Sequence, residues 1–350
     1  MKILLIRLMG LGDVASILIP AVPLVARQYP GARIHVLTHG AGGELMSLVP
    51  GVEQVHVIAP HQWPADIGPA VQSFLNIAEQ LAAQGFERVI NLDTWFMPCF
   101  LATVLQELGL EVHGNMIGLS TGELFRRWGT RELLQEFFRQ PAHYLRSTFA
   151  NMGDWTIPWW DKYPDAGAYP DFYLRHCCGF AGELHRSLPV EPDREFRANA
   201  AGRKVIALSM SGSSASKQYR DAPALQQALE QAGHFVWSGF DGSVAMRSTL
   251  AKLAATDLLV SVATSTQWLA RLVRCPTLVL PGALPPSVLG AEATVDRVST
   301  CQYCYQSHCP QKIDFACMDV PVEDVMNKVE AQLAKSKHGA RPASAGLAVE

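Results

Sequence analysis

The chain has 350 residues, 49% of them hydrophobic and 17% charged, with a net charge of −3. That length exceeds one ordinary core, so two domains are expected, and the balance describes a well-packed globular protein. Charge this close to neutral excludes an electrostatic case for nucleic acid, and eight cysteines in a chain this size do not make a disulfide scaffold.

The first element is a short apolar run over residues 3–6, which reads as a buried strand of a parallel sheet. Gly10 and Gly12 follow and let the chain turn sharply, and Asp13 stands where a helix begins, a good N-cap or first-turn residue. A strand, a glycine turn and a helix N-terminus form the usual ligand crevice of α/β proteins. Val14, Ile17, Leu18, Ala21 and Val25 recur at helical spacing, with Pro20 and Pro23 expected to kink that helix. Strands are expected at 34–38, 52–58, 88–92 and in 114–118, and helices at 67–83 and 97–108. This alternation argues for a parallel sheet covered on both faces.

From residue 122 to 180 the pattern changes. A helix is expected over 124–138 from its helical spacing. Trp155, Trp159, Trp160, Tyr163, Tyr169, Phe172 and Tyr173 then cluster, more as core or lid packing than as sugar contacts. Pro189 and Pro192 mark a linker at 187–193. A second α/β unit follows, with strands at 205–209, 234–238, 257–262 and 275–280, helices at 222–232 and 322–333, and a small-polar loop over 209–216 leading to Lys217. Such a loop after a strand can set backbone N–H groups and one lysine against phosphates. Cys301, Cys304, Cys309 and Cys317 form a C-x2-C-x4-C-x7-C pattern that suits a tetrahedral thiolate site for zinc or iron, or else reduced thiols packed against a loop. Cys99, Cys177, Cys178 and Cys275 lack metal spacing and are expected to be buried and inert. Residues 336–350 are rich in Ala, Gly, Ser and charge and are expected to be disordered.

The opening string from Ile3 to Val14, with Pro20-Ala21 after it, resembles the start of the glycosyltransferase family 9 heptosyltransferases. The resemblance runs to about residue 333, specific at Gly12-Asp13 and looser beyond. It implies a helix from His143 towards Met152. It implies a GT-B fold: two facing Rossmann-like domains with a crevice between them, 1–188 binding the acceptor and 189–335 the nucleotide-sugar. It implies Asp13 as catalytic base, with Gly10 and Gly12 on the acceptor side, and Lys217, Asp241, Thr264, Ser265 and Thr266 on the donor. The segment Ala263-Thr264-Ser265-Thr266-Gln267-Trp268-Leu269-Ala270 departs from the family's Asp-Thr-Gly, two residues, His-Leu-Ala. Ala263, Ser265 and Trp268 replace the aspartate, glycine and histidine, which puts heptose in question as the sugar. The implied chemistry is inverting and needs no catalytic metal or cofactor. The implied partners are ADP-heptose or a related donor and a lipid-linked glycan or protein acceptor, with peripheral contact at the inner membrane. Some relatives bind iron through a similar cysteine-rich segment.

No stretch of the sequence approaches the roughly 20 apolar residues that cross a bilayer, and the start, broken by Arg7 and Asp13, lacks a clean cleavage site. The expected location is therefore the cytoplasm. Two other functions stay open. A nicotinamide oxidoreductase would use Gly10, Gly12 and Ala15 as a loose G-x-G-x-x-A, although Thr38 and His39 stand where an acidic ribose-binding residue is expected. A non-catalytic nucleotide-sugar-binding or assembly protein would account for Ala263 and Trp268.

Overall fold

A computed structural model describes residues 1–297, 301, 303–306 and 308–336. The chain divides into two compact units, Met1–Pro189 with Gly242–Thr249, and Val190–Asp241 with the residues from Leu250 onward. The tail expected from 336 falls outside the described residues, except that Ser336 ends the last helix.

In the first unit, β1 (Lys2–Ile6), β2 (Arg33–His39), β3 (Val52–Ile58), β4 (Arg88–Asn91), β5 (Glu111–Ile117) and β6 (Leu145–Ser147) form one sheet. Its order is β3-β2-β1-β4-β5-β6. All pairings are parallel except β5 with β6. Parallel strands need covering on both faces, and β1 meets this with Ile3, Leu4, Leu5 and Ile6 all fully buried. Helices Ile67–Ala82 and Phe96–Glu107 bring Phe74, Ala78, Phe100 and Leu101 onto the core with Leu4, Ile6 and Val89.

The helix Leu11–Gln28 has the length and apolarity of a membrane span, but Val14, Ile17, Leu18, Ala21 and Val25 are buried in this unit. Its stretch Val14–Leu18 is π-helical, and the α-helix that resumes at Ile19 carries Pro20 in its first turn and Pro23 inside. A proline cannot donate to the preceding turn, and a wider π turn is one way a helix absorbs that loss.

Two expected helices differ. The one over 124–138 is shorter and earlier, Thr121–Gly129, started by Ser120, whose hydroxyl accepts from Glu123 N–H at 3.2 Å. The one from His143 is a single turn, Pro141–Tyr144, after which the chain extends as β6. There it pairs Arg146 with Met116 and covers the edge β5 would otherwise expose. The aromatic cluster packs on itself: Trp159 stacks on Phe172 at 4.1 Å, and Trp155 meets Tyr173 edge-on.

The second unit holds β7 (Val205–Ser209), β8 (Phe235–Trp237), β9 (Leu258–Val262), β10 (Thr277–Leu280) and β11 (Ala293–Thr294), all parallel, in the order β11-β10-β9-β7-β8. Counted within the unit this is 2-1-3-4-5, the second of the two common doubly wound orders, whereas the first unit begins 3-2-1-4-5. The last helix, Val322–Ser336, lays Val325, Val329 and Leu333 at a spacing of four onto Val260, Leu278 and Leu280. A fully buried side chain of this kind contributes about 1.5–3 kcal/mol. Helix Met246–Ala254 was not anticipated; its first residue donates its N–H to Glu44 at 3.0 Å, inside the first unit.

Candidate functional site

In open α/β sheets, ligands bind beyond the carboxyl ends of the strands where the strand order reverses. In the first unit that point lies between β1 and β4. After Ile6 the chain runs through Arg7 to Gly10, whose φ of +80° is natural only to glycine. The Gly10 carbonyl then accepts from Asp13 N–H at 2.9 Å and Val14 N–H at 3.0 Å, starting the helix. Gly12 lies in the first helical turn and takes no left-handed angle, so the sharp turn belongs to Gly10 alone.

Asp13 is in the first turn but caps nothing. Its carboxylate accepts from Arg7 Nη2 at 2.5 Å, with the Asp13 side chain 30% exposed and that of Arg7 only 2%. Arg7 Nη1 donates to Leu92 O at 2.6 Å, and its Nε is buried with no hydrogen-bond partner. Burial opposes the Arg7 charge, but Asp13 and Asp93 outweigh it and hold the guanidinium pKa above its ordinary value. Asp93 is fully buried at the end of β4 and accepts from Leu8 N–H at 2.8 Å, Met9 N–H at 3.2 Å and Trp95 N–H at 3.1 Å. Tyr173 OH donates to Leu92 O at 2.8 Å and accepts from Asn115 Nδ2 at 3.2 Å, with its ring 5.6 Å from the guanidinium. A partly exposed carboxylate therefore rests on a buried, charge-balanced support.

In the second unit, β7, β8 and β9 are neighbours, and their carboxyl ends lead into three loops. The loop after β7 is closed by Tyr219 N–H to Met210 O at 3.0 Å and by a bridge between Ser211 and Gln218. Lys217 ends a single turn Ala215–Lys217 within it and is half-buried. The loop after β9 puts Thr264 at the N-cap of helix Ser265–Leu272, although its side chain makes no capping bond. Thr266 Oγ1 instead accepts from Ser209 Oγ at 2.9 Å, tying the β9 loop to the end of β7. Ser265 is half-buried, and the buried Gln267 leaves its Oε1 without a partner. Trp268 sits under the Arg271 guanidinium at 5.6 Å, and Ala263 is buried. Asp241 is exposed on the turn after β8. Lys217, Asp241 and Thr264–Thr266 thus share one edge of one sheet, whereas Gly10, Gly12 and Asp13 belong to the other unit.

None of the eight cysteines forms a disulfide. Cys99, Cys177, Cys178 and Cys275 are buried, and burial pushes the thiols of Cys99, Cys177 and Cys178 up. Cys301, Cys304, Cys309 and Cys317 line one cavity of the second unit with Gly282, Ala283 and Phe315. Backbone N–H groups of Phe315, Ile313, Gln311 and Lys312 turn to the Cys309 sulfur and lower its pKa, against the effect of burial. Burial raises that of Cys317, reinforced by Cys301, Cys304 and Cys309. Among the described residues no three His, Cys, Asp or Glu side chains stand at the spacing that holds an ion. Four thiols from one short segment are a donor set of the kind a thiophilic metal takes, although here they line the cavity without being gathered at ligand spacing.

The residues not singled out from the sequence are Arg7, Asp93, Asn115 and Tyr173. Arg7 and Asp93 carried a usable signal, since each is a charge directly after an apolar strand at the edge where ligands bind. Tyr173 and Asn115 carried none, because their contact spans 58 positions.

No family model matches the chain, and no curated protein does. Solved structures do. The glycosyl transferase family 9 from Veillonella parvula DSM 2008 is 14% identical at a TM-score of 0.63, over 96% of this chain and 98% of its own. The E. coli ADP-heptose lps heptosyltransferase II is 14% identical at 0.59, over 96% and 100%. The iron-containing dodecameric glycosyltransferase TibC from enterotoxigenic E. coli H10407 is 12% identical at 0.54, over 96% of this chain and 76% of its own. With the strand orders above, these likenesses show that the chain has the GT-B fold of the family 9 glycosyltransferases.

Proposed function

We propose that this protein is a glycosyltransferase that moves a sugar, heptose foremost, from an ADP-activated or related nucleotide-sugar to a hydroxyl of a lipid-linked glycan or protein acceptor. The observation that carries the reading is the Asp13 carboxylate, partly exposed at the switch point of the first sheet and held by buried Arg7. Asp13 takes the proton of the acceptor hydroxyl as that oxygen bonds to the anomeric carbon and the bond to the diphosphate breaks, with inversion. Lys217 and the Thr264–Thr266 turn offer a cation, hydroxyls and backbone N–H groups to the charge growing on the leaving diphosphate. The solved transferases of this fold that carry ADP or an ADP-heptose analogue support the donor class. The work would take place in the cytoplasm, with the acceptor at the inner membrane.

We further propose that Cys301, Cys304, Cys309 and Cys317 hold a structural zinc or iron ion. Four thiolates fill a tetrahedral shell, so an ion held there braces the segment and leaves no position for substrate.

A second reading, donor binding without turnover, is favoured by Ala263 and by Trp268 under Arg271, where the family carries an aspartate and a histidine. One experiment separates the two. Wild type and Asp13→Asn are offered ADP-heptose and ADP-, UDP- and GDP-hexoses, with thermal shift and donor hydrolysis or transfer measured. Stabilisation of both proteins with turnover only in wild type supports the transferase. Full turnover by Asp13→Asn refutes the assigned base, and binding without turnover under any acceptor favours the second reading.

A further inference from the structure

The segment after β4 carries one aromatic ring that the packing does not use. Trp95 is 53% exposed, whereas the other seven tryptophans are buried or half-buried. Its neighbours on both sides are locked. Thr94 is buried, and its carbonyl accepts from Tyr144 OH at 2.8 Å. Phe96 is buried, with its ring 4.9 Å from that of Phe138 and 5.3 Å from that of Tyr144. Trp95 N–H donates to the buried Asp93 carboxylate at 3.1 Å. Among the described residues the indole meets no other ring, and its Nε1–H donates to no acceptor. Trp95 is also the N-cap of helix Phe96–Glu107, in the extended conformation usual there (φ −74°, ψ 153°), and its side chain makes no capping bond. Ser, Thr, Asp or Asn would satisfy an orphan N–H at that position, so tryptophan forgoes the cap and buries little in return.

This ring stands beside Asp13. Ile6 is opposite Asn91 in the sheet, so residues 7–9 and 92–95 leave it side by side. Asp93 accepts from Leu8, Met9 and Trp95 N–H, and Arg7, which holds Asp13, donates to Leu92 O at 2.6 Å. An exposed indole and a partly exposed carboxylate are thereby fixed on one edge of one sheet. A pyranose turns a face of C–H groups outward, and an indole covers such a face with a large, rigid area at little cost in side-chain entropy.

We propose that Trp95 is an acceptor-binding residue: its indole stacks on the sugar ring that bears the attacking hydroxyl. Of the two acceptor classes this selects the glycan over a protein hydroxyl. That the bound sugar is attacked rests on the transferase reading; the stacking does not.

The test uses the full chain and, as probes, a panel of methyl glycosides of neutral and acidic sugars and a serine-containing peptide. Binding is read by saturation-transfer NMR, transfer from the donors named above by steady-state kinetics, and stability by thermal melting. Wild type is expected to bind at least one glycoside through the C–H protons of one ring face. Trp95→Ala and Trp95→Ser weaken that binding about tenfold, and Trp95→Tyr recovers most of it. Leu134→Ser, a change at another exposed apolar residue of the same unit, leaves it alone. In transfer, Trp95→Ala raises the acceptor KM about tenfold, with kcat and the donor KM held within about twofold. Trp95→Ser restores the cap and is expected to raise the melting temperature by about 2 °C, which a tryptophan needed only for folding would reverse. Glycoside binding unchanged in Trp95→Ala overturns the proposal. So does a wild type that binds no glycoside, a peptide that depends on Trp95 as much as any sugar does, or a lower melting temperature for Trp95→Ser. A glycoside held through Trp95 but glycosylated from no donor keeps the stacking and removes the transferase reading. Transfer with the same acceptor KM in Trp95→Ala keeps the transferase and removes the stacking.

Discussion

Arg7→Met keeps the aliphatic stem and removes the guanidinium. Arg7 is 1% exposed and Asp93 is fully buried, so deleting the cation leaves a buried carboxylate without its counter-charge. Breaking a buried pair from one side costs about 3–5 kcal/mol. Asp93 keeps its three backbone N–H donors, from Leu8, Met9 and Trp95, which places the loss at the low end, ~3 kcal/mol. Asp13 returns partly to water when released, so its share is at most ~1 kcal/mol. Urea unfolding followed by tryptophan fluorescence reads this directly, because six of the eight tryptophans lie in the first unit. The expected order of loss is Arg7→Met first, Arg7→Lys next, since the ammonium keeps the charge but not the fork, and Asp13→Asn least. A loss below ~1 kcal/mol for Arg7→Met at unchanged denaturant slope would refute the argument that the guanidinium is a desolvated, paired charge. So would an equal loss for Asp13→Asn, which would shift the energetic weight to the exposed partner.

Gly10→Ala forces a left-handed residue and puts a Cβ 3.3 Å from Asp13 Oδ2. It is expected to cost ~1–2 kcal/mol and to lower transfer at least about tenfold by misplacing the carboxylate; wild-type turnover would show that this turn does not set Asp13. Stability of the first unit is expected to fall on acidification because of His35 and His56, whose ring nitrogens lie 3.2 Å apart. Burial lowers both pKa values, reinforced by Lys2 at His35 and by His35 and Lys2 at His56. The unfolded chain therefore takes up protons first. The full stability holds above the unfolded value near 6.5 and is lost as pH drops from there towards the lowered values, by at most about 1.4 kcal/mol per pH unit per histidine. His35→Phe should flatten that dependence in urea melts taken between pH 7 and 5, and an unchanged slope would count against it.

Strands were readable wherever they are buried on both faces: the apolar runs that became β1, β7 and β9 admit little else. The stretch from 122 to 180 was not, because there contact partners override local pattern. Leu145 to Ser147 is a strand only because β5 has an open edge, and Thr121–Gly129 ends well before its apolar spacing does. At the site, Asp13 stood out through its glycine turn, yet its partner is an arginine that looks like an interruption in an apolar run. Lys217 was legible as a lysine after a small-polar loop and Thr264 through the family resemblance, whereas the bond between Ser209 and Thr266 depends on β7 and β9 being neighbours, which the sequence order conceals.

The strip Gly242–Thr249 clusters with the first unit although both of its flanks belong to the second. The polypeptide therefore passes between the units three times, after Pro189, after Asp241 and after Thr249, rather than once through a proline linker. A protease cutting near Pro189 would nick the protein without freeing two halves. A gene truncated at that proline would encode a first unit lacking the strip whose Met246 N–H binds Glu44. Splitting this protein cleanly requires grafting that strip as well as cutting the linker.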